Sequence, residues 1–193
     1  MKSSYSYIGE KWKKPQENLG EELRSRLIAW RRGESIVRVD KPTRLDRARA
    51  LGYKAKPGFV IVRARILRGG RRRPKRRKGR RSKRQTIRKV LKMNYQWVAE
   101  QRAQRKYPNM EILNSYWIGK DGINYFFEII LVDPSRPEIK ADKNINWILS
   151  KKHTGRVYRG LTSAARKSRG LRKKGSRAIK ARPSVRAWHR RGK

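Results

Sequence analysis

Residues 59–67 read Phe-Val-Ile-Val-Arg-Ala-Arg-Ile-Leu, with Val60, Val62, Ala64 and Ile66 at alternate positions and Arg63 and Arg65 between them. Successive side chains of an extended chain point to opposite faces, so this alternation predicts a strand with one packed face and one basic face. Residues 111–118 and 124–132 are dense in branched and aromatic side chains and predict two more strands. They are joined by Lys120-Asp121-Gly122, in which Asp-Gly is a strong hairpin signal. Trp97, Tyr116, Trp117, Tyr125, Phe126 and Phe127 fall within predicted elements and are expected in the core.

Elsewhere the period is helical. Tyr5, Ile8 and Trp12 recur at helical spacing before Pro15. Asn18 with Glu21 resembles a capping box opening a helix that carries Leu19, Leu23, Leu27 and Trp30 and stops at Gly33. A short strand is expected over 35–39, then a basic, turn-rich connector over 41–56 ending in Pro57-Gly58. From 85 to 107, Ile87, Val90, Leu91, Met93, Trp97 and Val98 trace the stripe of one long core helix, which Pro108 ends. Pro134 and Pro137 precede a short helical stretch to Trp147, and beyond Lys151 apolar residues thin out, leaving at most a short helix near 163–168. This order predicts a single small α+β domain whose largely antiparallel sheet is packed by helices.

Charge alters that picture. The chain sets 56 Lys and Arg against 14 Asp and Glu, a formal net charge of +42 on 193 residues. Charge so dense repels itself in a compact state and calls for a polyanionic partner, nucleic acid above all. Its distribution is uneven: no carboxylate occurs between Asp46 and Glu100 and none after Asp142, whereas residues 110–134 are only lightly basic. With 36% hydrophobic residues the core is modest, and the basic stretches are expected to order only when bound. The organisation expected is an α+β domain over residues 1–150, interrupted by a basic arm at about 68–84, followed by a basic C-terminal extension over 151–193. Cysteine is absent, which excludes disulfides, thiolate metal sites and cysteine nucleophiles. No apolar run approaches the roughly 20 residues of a membrane span, and residues 1–20 lack a signal-peptide core. A soluble intracellular protein is expected.

In the arm, Arg71, Arg72, Arg73, Lys75, Arg76, Arg77, Arg80, Arg81 and Arg84 are interrupted by Pro74 and Gly79. Guanidinium forks grip phosphate in pairs, and Pro and Gly keep the backbone from becoming a rigid helix, so the run reads as a thread between nucleic-acid strands. A solvated or nuclear-targeting basic run is the plainer alternative. Arg68-Gly69-Gly70 is either half of a repeat used by disordered RNA binders or a strand-ending turn. Tyr53 beside Lys54 and Lys56 is either a platform for an unpaired base or a core tyrosine. Trp188 stands among Arg186, Arg190 and Arg191 with almost no apolar company, which suits stacking on a partner. His153 and His189, the two histidines, have basic neighbours and no nearby carboxylate, so neither a metal site nor a Ser-His-Asp arrangement can be assembled. Glu21 and Glu22 are explained by helix-terminal charge compensation, and no Walker-type loop is present. No catalytic residue, cofactor or metal is expected.

Five collinear stretches carry a resemblance: 44–59 (RLDRARALGYKAKPGF), 68–74 (RGGRRRP), 113–119 (LNSYWIG), 126–134 (FFEIILVDP) and 159–171 (RGLTSAARKSRGL). Together they resemble the large-ribosomal-subunit protein fifteen family of archaea and eukaryotes, which is distinct from the bacterial protein sharing that number. The short C-terminus, ending at Lys193, resembles the archaeal form more than the eukaryotic. The resemblance implies a cytoplasmic, structural constituent of the large subunit that binds its rRNA through long basic extensions. Carried onto matching positions, it implies RNA-facing segments over 42–56, with Arg44, Arg47, Arg49, Tyr53, Lys54 and Lys56, and over 68–73. It implies a third over 159–172, with Arg159, Arg166, Lys167, Arg169 and Arg172, and Lys173 follows directly. The partners expected are large-subunit rRNA and neighbouring ribosomal proteins, with no membrane, no small-molecule substrate and no homo-oligomer. Charge alone equally permits a general nucleic-acid-binding or chromatin-like protein.

Overall fold

The structure, a computed structural model, describes residues 2–70 and 91–172. Its centre is a four-stranded antiparallel sheet in the order β1-β2-β4-β3, formed by β1 (Ile36–Val39), β2 (Phe59–Leu67), β3 (Glu111–Lys120) and β4 (Asn124–Val132). The β3–β4 hairpin closes where expected. The Asp121 carboxylate accepts from the backbone N–H groups of Ile123, at 2.7 Å, and Asn124, which fixes the turn.

Both faces of the sheet are covered. On one, Val62, Ala64, Ile66, Phe127, Ile129 and Leu131 pack against Ala99 and Ala103 of helix α4 (Tyr95–Lys106) and against Val157. On the other, Ile61, Tyr116, Ile118, Phe126 and Ile130 pack against Trp30 of α2 (Pro15–Arg32) and Ala48 of α3 (Leu45–Ala50). The expected basic face of β2 is therefore a second packed face. Arg63 and Arg65 sit on it because guanidinium groups lie along apolar surface while their polar ends find partners. Arg63 lies 5.0 Å from the Trp30 ring centroid, and Arg65 donates to the Arg31 carbonyl.

The helical expectations need three corrections. Helix α1 (Ser4–Lys11) is followed by α2, which opens at Pro15, where Pro needs no partner for its missing N–H, and is broken at Gly20 (φ 34°, ψ −113°), so the part carrying Leu23, Leu27 and Trp30 follows Gly20 and does not open on an Asn18 capping box. Asn18 instead donates to the carbonyls of Glu10 and Lys11, both at 3.2 Å, and closes α1. The 41–56 connector contains α3, a six-residue helix whose one buried side chain is Ala48, too short a pattern to show a period. Within the described residues the core helix begins at Tyr95, capped by Asn94, whose Oδ1 accepts from Trp97 N at 2.8 Å. Leu91 is exposed and Lys92 has φ of 55°, so the stripe from Leu91 to Met93 does not continue that helix. Ile87 and Val90 lie outside the described residues.

A third small cluster joins Val132 to Ile139 of α5 (Pro137–Lys140) and to Ile145 and Ile148 around the 3-10 turn Asn146–Leu149. Residues 151–172 pack back onto the domain. After the 3-10 turn Lys151–His153 the chain buries Val157, then Ala164 and Ala165 of α6 (Ser163–Ser168). Small residues dock there without the apolar density that sequence reading looks for.

Gly58 is where the connector meets this third cluster. Its φ is +91°, and a Cβ there would stand 2.6 Å from Ile139 Cγ1. Gly58→Ala should destabilise the domain by about 2–4 kcal/mol, combining left-handed backbone cost with overpacking. Gly122→Ala, with nothing within 4 Å, should change stability by less than about 0.5 kcal/mol. Urea unfolding of both variants checks the contrast.

Candidate nucleic-acid interface

The segment 42–56 is fastened at its two ends by carboxylates. Glu128 lies in the middle of β4, fully buried, on the Trp30 face of the sheet. It accepts from the Thr43 backbone N–H at 3.1 Å, from the Thr43 hydroxyl, and from Tyr116 OH at 2.5 Å. Burial raises its pKa, while the hydrogen bonds from Thr43 and Tyr116 and the charge of Arg63 oppose the rise. Burial also raises the Tyr116 phenol, as does the neighbouring Glu128. At the far end Asp142 accepts from Lys54 Nζ and Lys56 Nζ, each at 2.7 Å, and Lys56 also donates to the Glu138 carbonyl at 3.0 Å. Those two lysines hold the Asp142 carboxyl well below the usual carboxylate range.

Between these anchors several predicted contact residues already have partners inside the domain. Arg44 lies 5.0 Å from the Trp12 ring centroid and 3.2 Å from Asp46, and Arg49 lies 5.5 Å from the Tyr5 ring. Tyr53 is half-buried and packs edge-on against Phe59 with ring centroids 6.0 Å apart, the packing arrangement of its two readings. Arg47 and Lys54 are exposed.

At the end of β2, Arg68 donates to the carbonyls of Asp121, at 2.7 Å, and Gly122, and lies 5.1 Å from the Tyr125 ring. Gly69 N donates to Tyr95 OH at 2.8 Å, and Tyr95 stacks on Tyr125 at 5.0 Å. The chain thus leaves the sheet from a fixed aromatic seat. Arg71, Arg72, Arg73, Lys75, Arg76, Arg77, Arg80, Arg81, Arg84, Lys173, Arg186 and Trp188 lie outside the described residues.

The third segment is tied to the opposite face by a second buried carboxylate. Glu100 of α4 accepts from Thr162 Oγ1 at 2.6 Å and from Ser115 Oγ. Burial raises its pKa against those hydrogen bonds and the charge of Arg156. Thr162 caps α6, and Asn94 holds the same helix through Ser168 Oγ and the Ala164 carbonyl, both at 2.9 Å. Arg159 donates to the carbonyls of Lys152 and Thr154, both at 2.7 Å, and Arg169 to that of Gly160 at 3.1 Å. Arg172 donates to Ser163 Oγ. Arg166 and Lys167 are exposed in the last turn of α6. Sequence reasoning missed the anchoring set of Thr43, Glu100, Glu128, Asp142 and Thr162. One signal was present: Glu128 interrupts the apolar run Phe126–Val132, and a lone acid there implies buried hydrogen-bond donors.

Among the described residues no group of acids, histidines or cysteines is arranged to hold a metal ion, and no helix is long and apolar enough to cross a membrane. A family model described as Ribosomal L15 matches residues 3–188. The large ribosomal subunit protein eL15 of Methanocella arvoryzae is 52% identical over 195 residues, covering 100% of both chains. The protein of the same name from Picrophilus torridus is 51% identical over 189 residues, covering 97% of each.

Because burial raises the folded pKa of Glu100 and Glu128, the stability each contributes is fully present below the ordinary glutamate value. It is lost as pH rises through the raised value. Stability of the chain should therefore fall as pH climbs from about 4.3 upward. Glu100→Gln and Glu128→Gln should each flatten that slope. Denaturant midpoints measured across the window decide it, and slopes equal to wild type would contradict the assignment.

Proposed function

Since the chain belongs to the eL15 family of ribosomal proteins, a structural and non-enzymatic component of the large ribosomal subunit, we propose that it binds large-subunit rRNA and locks neighbouring RNA segments together by neutralising their phosphates. The observation that carries this reading is the distribution of charge. The chain has no carboxylate between Asp46 and Glu100 or after Asp142, so the segments leaving the domain bring cations alone. The domain supplies rigid roots for them. Arg44, Lys56, Arg68 and Arg159, each held by a partner within the fold, set the path of the backbone. Arg47, Arg166 and Lys167, exposed on those held segments, meet phosphate oxygens, whereas Lys54 is held by Asp142. Arg71 to Arg84 and the cations after Lys173 fill crevices between RNA strands.

The mechanism is electrostatic. Each lysine or arginine that replaces a condensed counterion adds about 0.7–0.9 to the magnitude of the slope of log affinity against log salt. Guanidinium forks fix a geometry that mobile ions cannot. Neighbouring ribosomal proteins complete the surroundings of the domain.

Deleting residues 71–84 should lower the salt slope for binding purified large-subunit rRNA and prevent retention in large subunits through a high-salt gradient wash. The thermal transition of the remaining domain should persist, since its three apolar clusters are built from other residues. A deletion variant that stays with the subunits as the full chain does would refute the proposal.

A further inference from the structure

Between the 3-10 turn Asn146–Leu149 and helix α6 lies a cleft of about 680 Å³. Trp147, Leu161 and Leu171 give it apolar walls, and Arg156, Arg166 and Arg172 give it positive charge. No carboxylate is among the described residues that line it. Its volume falls within the roughly 300–1,000 Å³ typical of small-ligand clefts.

Trp147 is held in place yet partly open. The Arg156 guanidinium carbon lies 5.1 Å from its ring centroid and the His153 ring meets it edge-on at 4.9 Å, while 39% of the residue stays exposed. An aromatic surface fixed beforehand loses little freedom when something stacks on it. Arg156 is only 9% exposed. Its Nη1 donates to the carbonyls of Ile112 and Leu113, at 2.7 and 3.0 Å, but its Nε–H is buried with no hydrogen-bond partner among the described residues. Arg156 therefore backs the Trp147 ring as a fixed positive charge, with its Nε closed off from the cleft. Leu161 and Leu171, 36% and 37% exposed, leave apolar surface beside exposed guanidinium groups. A flat aromatic body joined to an anion suits the Trp147 ring, the apolar walls and the exposed guanidinium groups together.

We infer that this cleft receives a single unstacked RNA nucleotide, its base against Trp147 and Leu161 and its phosphate between Arg166 and Arg172. The inference rests on the reading of this chain as an rRNA-binding protein and adds a base-stacking contact to an interface otherwise built on phosphates. Unpaired bases splayed from RNA are commonly held this way, against aromatic rings with charge alongside.

The test is filter binding of the full chain to purified large-subunit rRNA at fixed salt, with duplex DNA of equal length as the comparison. Trp147→Ala should weaken rRNA binding roughly 5- to 150-fold, leave its salt slope unchanged and leave DNA binding unchanged, while Trp147→Phe should restore most of the loss. Arg166→Gln with Arg172→Gln should instead reduce the salt slope by about 1.4–1.8. A photo-crosslinking amino acid placed at Leu161 should, in assembled large subunits, capture RNA. Wild-type affinity in Trp147→Ala, or capture of residues 173–193 or of a neighbouring protein at Leu161, would overturn the cleft assignment alone. A wild-type chain that does not prefer rRNA to duplex DNA would overturn the underlying reading as well.

Discussion

Carboxylates are the scarce resource of this molecule, and the fold depends on where the few of them are placed. Against 56 cations there are 14 acids, too few to balance the charge, and the ones inside the fold act as fasteners. Glu128 pins the start of the 42–56 segment from one face of the sheet, and Glu100 pins the cap of α6 from the other. Asp142 gathers Lys54 and Lys56. Burying a carboxylate is costly unless donors surround it, and here the donors belong to the segments that need holding. Desolvation that weakens an isolated carboxylate thus strengthens its hydrogen bonds to a particular loop. The result is a small domain that stays ordered beside chain segments whose mutual repulsion works against compactness.

The sheet accommodates this because its two central strands are buried on both sides. β4 reads as nearly continuous apolar chain, as a doubly covered strand does, and one polar residue in it can reach groups on either adjoining element. Arg63 extends the same logic: it lies along Trp30 and its charge favours ionisation of Glu128, so an arginine in a strand serves the interior.

Much of the fold was legible because its signals are local. Alternation marked β2, Asp-Gly marked the hairpin, and β, β, α, β, β gave the α+β class. Features whose signal is short or distant in sequence were not. α3 has six residues and one buried side chain. The start of α4 is set by Asn94, a capping residue standing directly after apolar positions that mimic the helix period. The second packed face of β2 was hidden because arginines occupy it. For the candidate interface, charge marks the cation-rich segments but does not tell which of their cations are exposed. Thr43 and Glu128 are 85 positions apart and Thr162 and Glu100 are 62 apart, so no local pattern announces the pairs that decide whether Arg44 faces the domain or Arg47 faces outward.

Asn94 ties these themes together. Its side chain caps α4 where the chain returns from residues 71–90, and the same residue grips α6 just before the chain runs on to 173–193. The two most cationic stretches are therefore rooted on either side of one asparagine. Were either stretch held by a polyanion, the other would be confined nearby, at a raised effective concentration.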